Sequence, residues 1–424
     1  MCRKIIPRLQ EWGKSQMANV VVIKGEGRAF CAGGDVAWLA KRNQAGAPQE
    51  SKDYFALEYK LDHYIATYQK PYVAFIDGIT MGGGVGLSIN APFRIATENT
   101  VFAMPETTIG FFPDVGASFF LPKMDGALGL YLALTSEQVK GPNVFYAGVA
   151  THYLHSSSLP DLEARLSELQ FNDYDKLDER LRLINSTIEE FCTGMPHDQP
   201  ISAPVAGNIR RAIDYCFHRS STSIENCFEK LDELANLNPT NSDQNVIDWA
   251  AKTKKTILQR SPTSVKVTFR QLRDAERWSI AETFIREHGI ASRFMDHPDF
   301  AEGVTALLID KPKRTPKWQP ASLDEVSKET VDEFFPPTSE LNLKLLRSGE
   351  EADYREYPYD ANIGLPKEAE MTNYIQRANP RTREQVLEHY VQKSGHKQGV
   401  KEKVEEFLQR KTVVEGEQVV LIDQ

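Results

Sequence analysis

Apolar residues fall into short β-branched blocks along the first third of the chain and into helical spacing through its middle. The block "VVVIKG", at residues 20–25, predicts a buried strand closed by a glycine. Residues 51–69 predict a helix. "PYVAFIDG", from Pro71, predicts a second strand, and "FRIAT", after a short glycine-led helical piece, a third. "LGLYLALTSEQVKG" reads as a helix ending at Gly141. Strands alternating with helices imply an α/β fold with a parallel sheet. From Leu162 to about Ala291 the pattern is mostly helical, as in "DLEARLSELQ" and "SVKVTFRQLRDAERW". Residues 311–337 are rich in proline and lysine and predict a segment end or linker. The remainder is more polar and predicts either a small annex or a partner-binding arm. There is no internal repeat.

Composition narrows the class. The 424 residues carry a formal net charge of −9 with 26% charged and 41% hydrophobic residues, the balance of a globular protein that is not a general nucleic-acid binder. No apolar run approaches the roughly 20 residues needed to cross a bilayer. The cysteines, Cys2, Cys31, Cys192, Cys216 and Cys227, are odd in number and lack metal-binding spacing. Unpaired thiols in a reducing compartment are expected. The basic N-terminus "MCRKIIPRLQEWGKSQ" shows neither a signal-peptide core nor a transit peptide.

The chemistry lies in the glycines. "GITMGGGVGL" places Gly82, Gly83 and Gly84 directly after a predicted strand. A tight turn or close packing explains many such glycines. A phosphate-binding P-loop is excluded because Val85 and Gly86 follow, where Lys and Ser or Thr are required. A dinucleotide fingerprint fails too, since "GEGRAF" ends in Phe30 instead of glycine. What remains is an oxyanion hole, in which bare N–H groups face a developing negative charge. A second donor set is available in "GRAFCAGGDV", where Ala32, Gly33 and Gly34 follow another strand.

Together "FCAGGD", "GITMGGGVGL" and "FAMPETTIGFFPDVGASFFLP" resemble the crotonase (enoyl-CoA hydratase/isomerase) superfamily. The resemblance implies a spiral of ββα repeats, with residues 1–160 as the spiral core and 161–335 as a helical region completing an acyl-CoA site. Residues 336–424 form a C-terminal extension. It implies that Ala32 and Gly83 donate to a thioester oxygen, with Gly34, Asp35 and Gly82 in the substrate-binding loops and Lys311 toward coenzyme A. Superfamily members also carry strands ahead of the helix that here begins near Met1, so the sequence starts inside the family pattern. That would account for the absent targeting segment.

The acid and base groups separate the branches. Hydratases of the superfamily carry a glutamate two residues after the third glycine, where this chain has Gly86. Glu106, Asp114 and Glu58, with "SPTSVKVTFRQL" and "HPDFAEGVTALLIDK", instead resemble the 3-hydroxyisobutyryl-CoA hydrolase branch of valine breakdown. There Glu106 would be general base or nucleophile, and Asp114 and Glu58 would orient the β-hydroxyl and the water. Coenzyme A would belong to the substrate, and no metal or redox cofactor is expected. The resemblance implies a mitochondrial location, no membrane partner and a homo-oligomer of unfixed size. A second reading follows from hydrolase-like proteins adopted into the small subunit of the mitochondrial ribosome, a role the extension suits through protein contacts. Cys31 as a nucleophile is disfavoured because no histidine lies nearby in sequence, and His63 and His152 read as surface or structural residues.

Overall fold

The computed structural model describes residues 1–172, 175–377 and 381–422. Successive turns of the chain each give one strand to each of two sheets. Strands β1 (Val21–Lys24) and β2 (Ala29–Cys31) start them, followed by β3 (Tyr72–Phe75) with β4 (Ile79–Met81) and β5 (Phe93–Ala96) with β6 (Val101–Ala103). The sheets run β1-β3-β5-β8 and β2-β4-β6-β7, where β7 is Val139–Lys140 and β8 His152–Tyr153. All pairings are parallel except that of β6 with β7. β3 and β5 are buried along their whole length, which is why they appear in the sequence as unbroken apolar runs instead of alternating ones.

Helices fill the crossovers. Helix α1 (Cys2–Lys14) packs on α3 (Pro48–Ala66), which is joined to β2 through α2 (Val36–Gln44). Pro48 in the first turn, where its missing N–H is no loss, and Glu50 near the positive end of the helix favour the start of α3. Its inner face rests against the helix Ile280–Asp296, which starts in a reciprocal cap between Ser279 and Glu282. The helical region therefore closes over the spiral, and one apolar core runs from Ile6 to Leu343. The expected helix over 128–141 stops at Thr135. Ser136 turns left-handed at φ 59°, and Val139–Lys140 join the sheet against β6. The proline-rich stretch is less free than a linker, since Val326, Val331 and Phe334 are buried in that same core.

The polar tail folds as well. Tyr354 and Tyr357 set their rings edge-on to Phe119, at 5.4 and 5.2 Å between centroids. Beyond them the helices Glu368–Gln376, Arg383–Lys393 and Val400–Lys411 and the hairpin β9 (Thr412–Glu415) with β10 (Gln418–Leu421) enclose a separate small core. That core holds Met371, Val386, Tyr390, Val400, Val404 and Phe407. The sequence hid it because its apolar residues are spread one or two per turn among lysines and glutamates. Charge fastens the unit to the body. Arg410 is ion-paired to Asp214 (3.1 Å) and to Glu368, Arg210 to the same two carboxylates at 3.1 and 3.2 Å, and Lys403 to Asp125 at 2.9 Å. Burial pushes the Asp214 carboxyl up, but Arg210, Lys411 and Arg410 outweigh it and hold it at about 2.

Removing one partner from a buried ionic cluster strands the others. Arg410→Leu is expected to lower stability by about 3–5 kcal/mol in urea unfolding and to expose the extension to limited proteolysis before the body. An unchanged midpoint with unchanged protection would show that the apolar contacts alone hold the unit.

Candidate active site

Because β2 and β4 are parallel neighbours, with Ala29 opposite Ile79 and Cys31 opposite Thr80, both strands deliver their following loops to the same end of the sheet. After β4 the chain turns through Gly82, at φ 51° and ψ −125°, into the four-residue helix α4 (Gly83–Gly86). That conformation favours glycine over any residue with a side chain. Gly83 is the first residue of α4, so its N–H has no intrahelical acceptor. The loop after β2 lies alongside, and a methyl group on Gly33 would sit 3.7 Å from the Gly83 nitrogen.

The other glycines make room. A methyl group at Gly84 would overlap the Cys31 carbonyl, so α4 lies directly on β2. At Gly83 a methyl would come within 2.6 Å of Glu58 Oε1, and at Gly86 within 2.5 Å of Asp62 Oδ2. At Gly34 it would meet the Tyr54 hydroxyl. The glycine-rich turn is thus bare so that side chains from α3 can lie against it.

A cavity of about 660 Å³ opens there, lined by Gly33, Gly34, Asp35, Gly83, Glu58 and Asp62 together with Cys2, Arg3 and Trp38. Asp35 is held in place as the cap of α2, accepting from the Trp38 N–H at 3.0 Å. Glu106 begins the short turn after β6 and is buried, with Oε1 3.5 Å from where a Gly82 methyl would be and Oε2 without a hydrogen-bond partner. Asp114, also buried, accepts from the Tyr59 hydroxyl at 2.6 Å. The Tyr54 hydroxyl donates to Glu58 at 3.2 Å. Beneath Asp114, Glu287 accepts from the Gly116 and Ser118 N–H groups at 2.8 and 2.9 Å, and Gln271 donates to the Pro113 carbonyl at 2.7 Å. Lys311 is exposed and does not line this cavity.

Tyr54, Tyr59, Asp62, Glu287 and Gln271 were missed in the sequence. Tyr54, Glu58 and Asp62 are spaced four apart, so a helical wheel drawn on α3 would have put them on one face. Glu287 and Gln271 left no local signal. His63 and His152 are both buried and structural: His63 Nε2 lies 2.9 Å from the Ala352 carbonyl, and His152 lies 3.1 Å from Glu189. Burial raises the Cys31 thiol above its ordinary range, which keeps it protonated.

Burial, with no ion pair to these groups among the described residues, raises the proton affinity of the site carboxyls. Burial first, then the Asp114 charge, pushes Glu58 up to about 8. Burial raises Asp114 to about 7 against the Tyr59 hydrogen bond, and lifts Glu106 and Asp62 well above the carboxylate range. Among the described residues no three His, Cys, Asp or Glu side chains converge as metal ligands do. A bare N–H group beside a poised carboxyl can stabilise an oxyanion and move a proton, the two demands of acyl chemistry.

The sequence profile of the enoyl-CoA hydratase/isomerase family matches residues 1–335. The chain belongs to that family. Two kinds of relative stand out within it. Small ribosomal subunit protein mS47 of Neurospora crassa is 54% identical over 97% of this chain and 80% of its own. The mitochondrial 3-hydroxyisobutyryl-CoA hydrolase of Danio rerio is 42% identical over 81% of this chain and 85% of its own. The crystal structure of a carnitinyl-CoA dehydratase from Mycobacterium thermoresistibile superposes with a TM-score of 0.66 at 28% identity, covering 79% of this chain and 88% of that one. The spiral expected of the family is the fold described above.

Protons held by Glu58, Asp114 and Glu287 link stability to pH. Glu58 and Glu287 rise from 4.5 to about 8, so between those values the native state binds more protons than the unfolded chain. Stability therefore falls as pH rises through that window. Melting temperature measured from about pH 5 to about pH 8.5 is expected to decline, and Glu58→Gln to flatten the decline. Parallel curves for the two proteins would show that Glu58 titrates as it does in the unfolded chain.

Proposed function

We propose that the protein hydrolyses a 3-hydroxyacyl thioester of coenzyme A, with 3-hydroxyisobutyryl-CoA as the preferred substrate and 3-hydroxypropionyl-CoA as a smaller one. The observation that carries this reading is the buried Glu106 carboxyl beside the Gly82 turn, its Oε2 without a hydrogen-bond partner, with no side chain at position 86. The hydrolase relatives at 42% identity support it. The Ala32 and Gly83 N–H groups receive the thioester oxygen and stabilise the negative charge that forms on it. Glu106 either takes a proton from the attacking water or attacks the carbonyl carbon itself to give an anhydride that water then opens. By either route water adds across the acyl–sulfur bond, the C–S bond breaks, and the thiolate leaves with the proton the water gave up. Asp114, steadied by Tyr59, and Glu58 orient the hydroxyl and the water. Gly34, Asp35 and Gly82 shape the entrance.

Glu106 acts in its ionised form, and burial holds its proton well above the carboxylate range. The acid limb of kcat/KM is therefore expected to lie above the range of an ordinary glutamate. Release of free thiol from 3-hydroxyisobutyryl-CoA is expected in the wild type and is expected to fall by at least ~100-fold in Glu106→Gln. Equal rates in the two proteins would remove Glu106 from the chemistry, and no turnover by the folded wild type would remove the hydrolase reading.

A second role is favoured by one specific observation. The Neurospora crassa ribosomal relative aligns over 97% of this chain, whereas the Danio rerio hydrolase aligns over 81%. The folded unit beyond Leu343 is of a length to account for that difference, although the ribosomal relative of Schizosaccharomyces pombe aligns over 85%. We read that unit as a protein-docking module through which the chain joins the small subunit of the mitochondrial ribosome. On a density gradient of mitochondrial extract, the protein is expected to sediment with the small subunit. Recovery only in the light fractions would rule that role out.

A further inference from the structure

A carboxyl occupies the space that Gly86 leaves empty. Asp62, from the adjacent helix α3, brings Oδ1, Oδ2 and Cγ to 2.5–2.9 Å from where a side chain at position 86 would begin. The site therefore does carry a carboxyl at that place, supplied from α3 instead of α4. Asp62 is completely buried, and neither of its oxygens has a hydrogen-bond partner. A buried polar group left unpaired is costly, because nothing replaces the water it gave up. Such a group calls for a partner. Among the described residues none hydrogen-bonds to it: Leu61 and Leu87 line the same cavity beside Asp62 with the Cys2 and Cys31 thiols, and Glu58, one turn earlier on α3, is engaged by Tyr54.

We propose that Asp62 is a specificity-determining residue, whose carboxyl binds the hydroxyl of an acyl group seated beside Gly83 and so favours hydroxylated over plain acyl thioesters. The inference rests on the thioester reading of the cavity and names how that site chooses its substrate. Burial and the neighbouring Glu58 hold the Asp62 proton on the carboxyl. A neutral carboxyl can donate to the hydroxyl oxygen and accept its proton at once. A plain acyl chain would leave both Asp62 oxygens unpaired, which is how a buried polar site rejects a ligand that lacks the matching group. The leucines meet the hydrocarbon of either ligand and discriminate little.

The test is a ratio. Thiol release is measured with 3-hydroxyisobutyryl-CoA and with isobutyryl-CoA, which differ by the one hydroxyl, in wild type, Asp62→Asn and Asp62→Leu. Asp62→Leu is expected to reduce the ratio of kcat/KM for the two esters by ~10-fold or more, and Asp62→Asn, which keeps a donor and an acceptor, to retain most of it. A ratio is unaffected by the fraction of variant that folds. The same ratio in Asp62→Leu and wild type would overturn the proposal and leave Asp62 a structural residue. Should the wild type turn over neither ester, the hydrolase reading fails. Calorimetric binding of the two esters to wild type and Asp62→Leu then decides the matter. Preference for the hydroxylated ester in wild type alone upholds Asp62 as the selector, and equal preference in both proteins overturns it.

Discussion

The site depends on how closely two strand ends approach. Gly84 lies against the Cys31 carbonyl with no room for a methyl group, and this contact sets the first turn of α4 beside the loop after β2. Backbone N–H groups serve as oxyanion donors only when they are already aimed and need not move as charge develops. Here the aim comes from the sheet. Parallel pairing of β2 with β4 fixes where each strand ends, and the turn at Gly82 fixes the direction in which α4 leaves. Flexible side-chain donors would have to be ordered at each turnover, and backbone donors at the ends of paired strands are ordered by folding.

Around that fixed point the electrostatics are one-sided. Glu58, Asp62, Glu106, Asp114 and Glu287 are all buried, and among the described residues no lysine or arginine pairs with any of them. Burial and the mutual repulsion of these groups raise their proton affinity well above that of exposed carboxyls. The contrast with the extension is instructive. At its interface Asp214 and Glu368 are buried like the site carboxyls, yet both face Arg210 and Arg410, and those cations hold the Asp214 carboxyl at about 2. The same residue types form ion pairs where cations meet them, and carry raised proton affinity where none do.

Much of this was legible in the sequence. The strands at β1, β3 and β5 announced themselves as β-branched apolar runs, and the glycine-rich turns identified both loops of the site because few other functions need so bare a backbone. Glu106, Asp114 and Glu58 followed from the motifs around them. The shared wall of the site was harder to see. Asp62 stands beside Gly86 across a gap of more than twenty residues, and Glu287 reaches Gly116 from the far helical region, contacts that only the folded chain creates. Val139–Lys140 was lost inside an apolar helix because only the left-handed turn at Ser136 separates them. For the extension the sequence left a small annex and a partner-binding arm open, because charge on its surface concealed a core of single apolar residues; Arg410, Lys403 and Lys411 are the cations that meet the body.

The cavity and the C-terminal unit occupy different parts of the chain but are not mechanically independent. Every residue lining the cavity lies within the first 87, while the small C-terminal core begins at Met371. Between them runs a stretch that touches both. Ala352 meets the buried His63 on α3, Arg347 donates to the Thr67 carbonyl at the end of that helix, and the Tyr354 hydroxyl donates to the Ala66 carbonyl at 3.1 Å. α3 is the helix that carries Tyr54, Glu58 and Asp62. The segment leading into the extension therefore braces the C-terminal end of the helix whose side chains lie against the glycine turn. A chain that recruited this extension for assembly would have kept that brace for the site, and the two roles would share one helix as their common support.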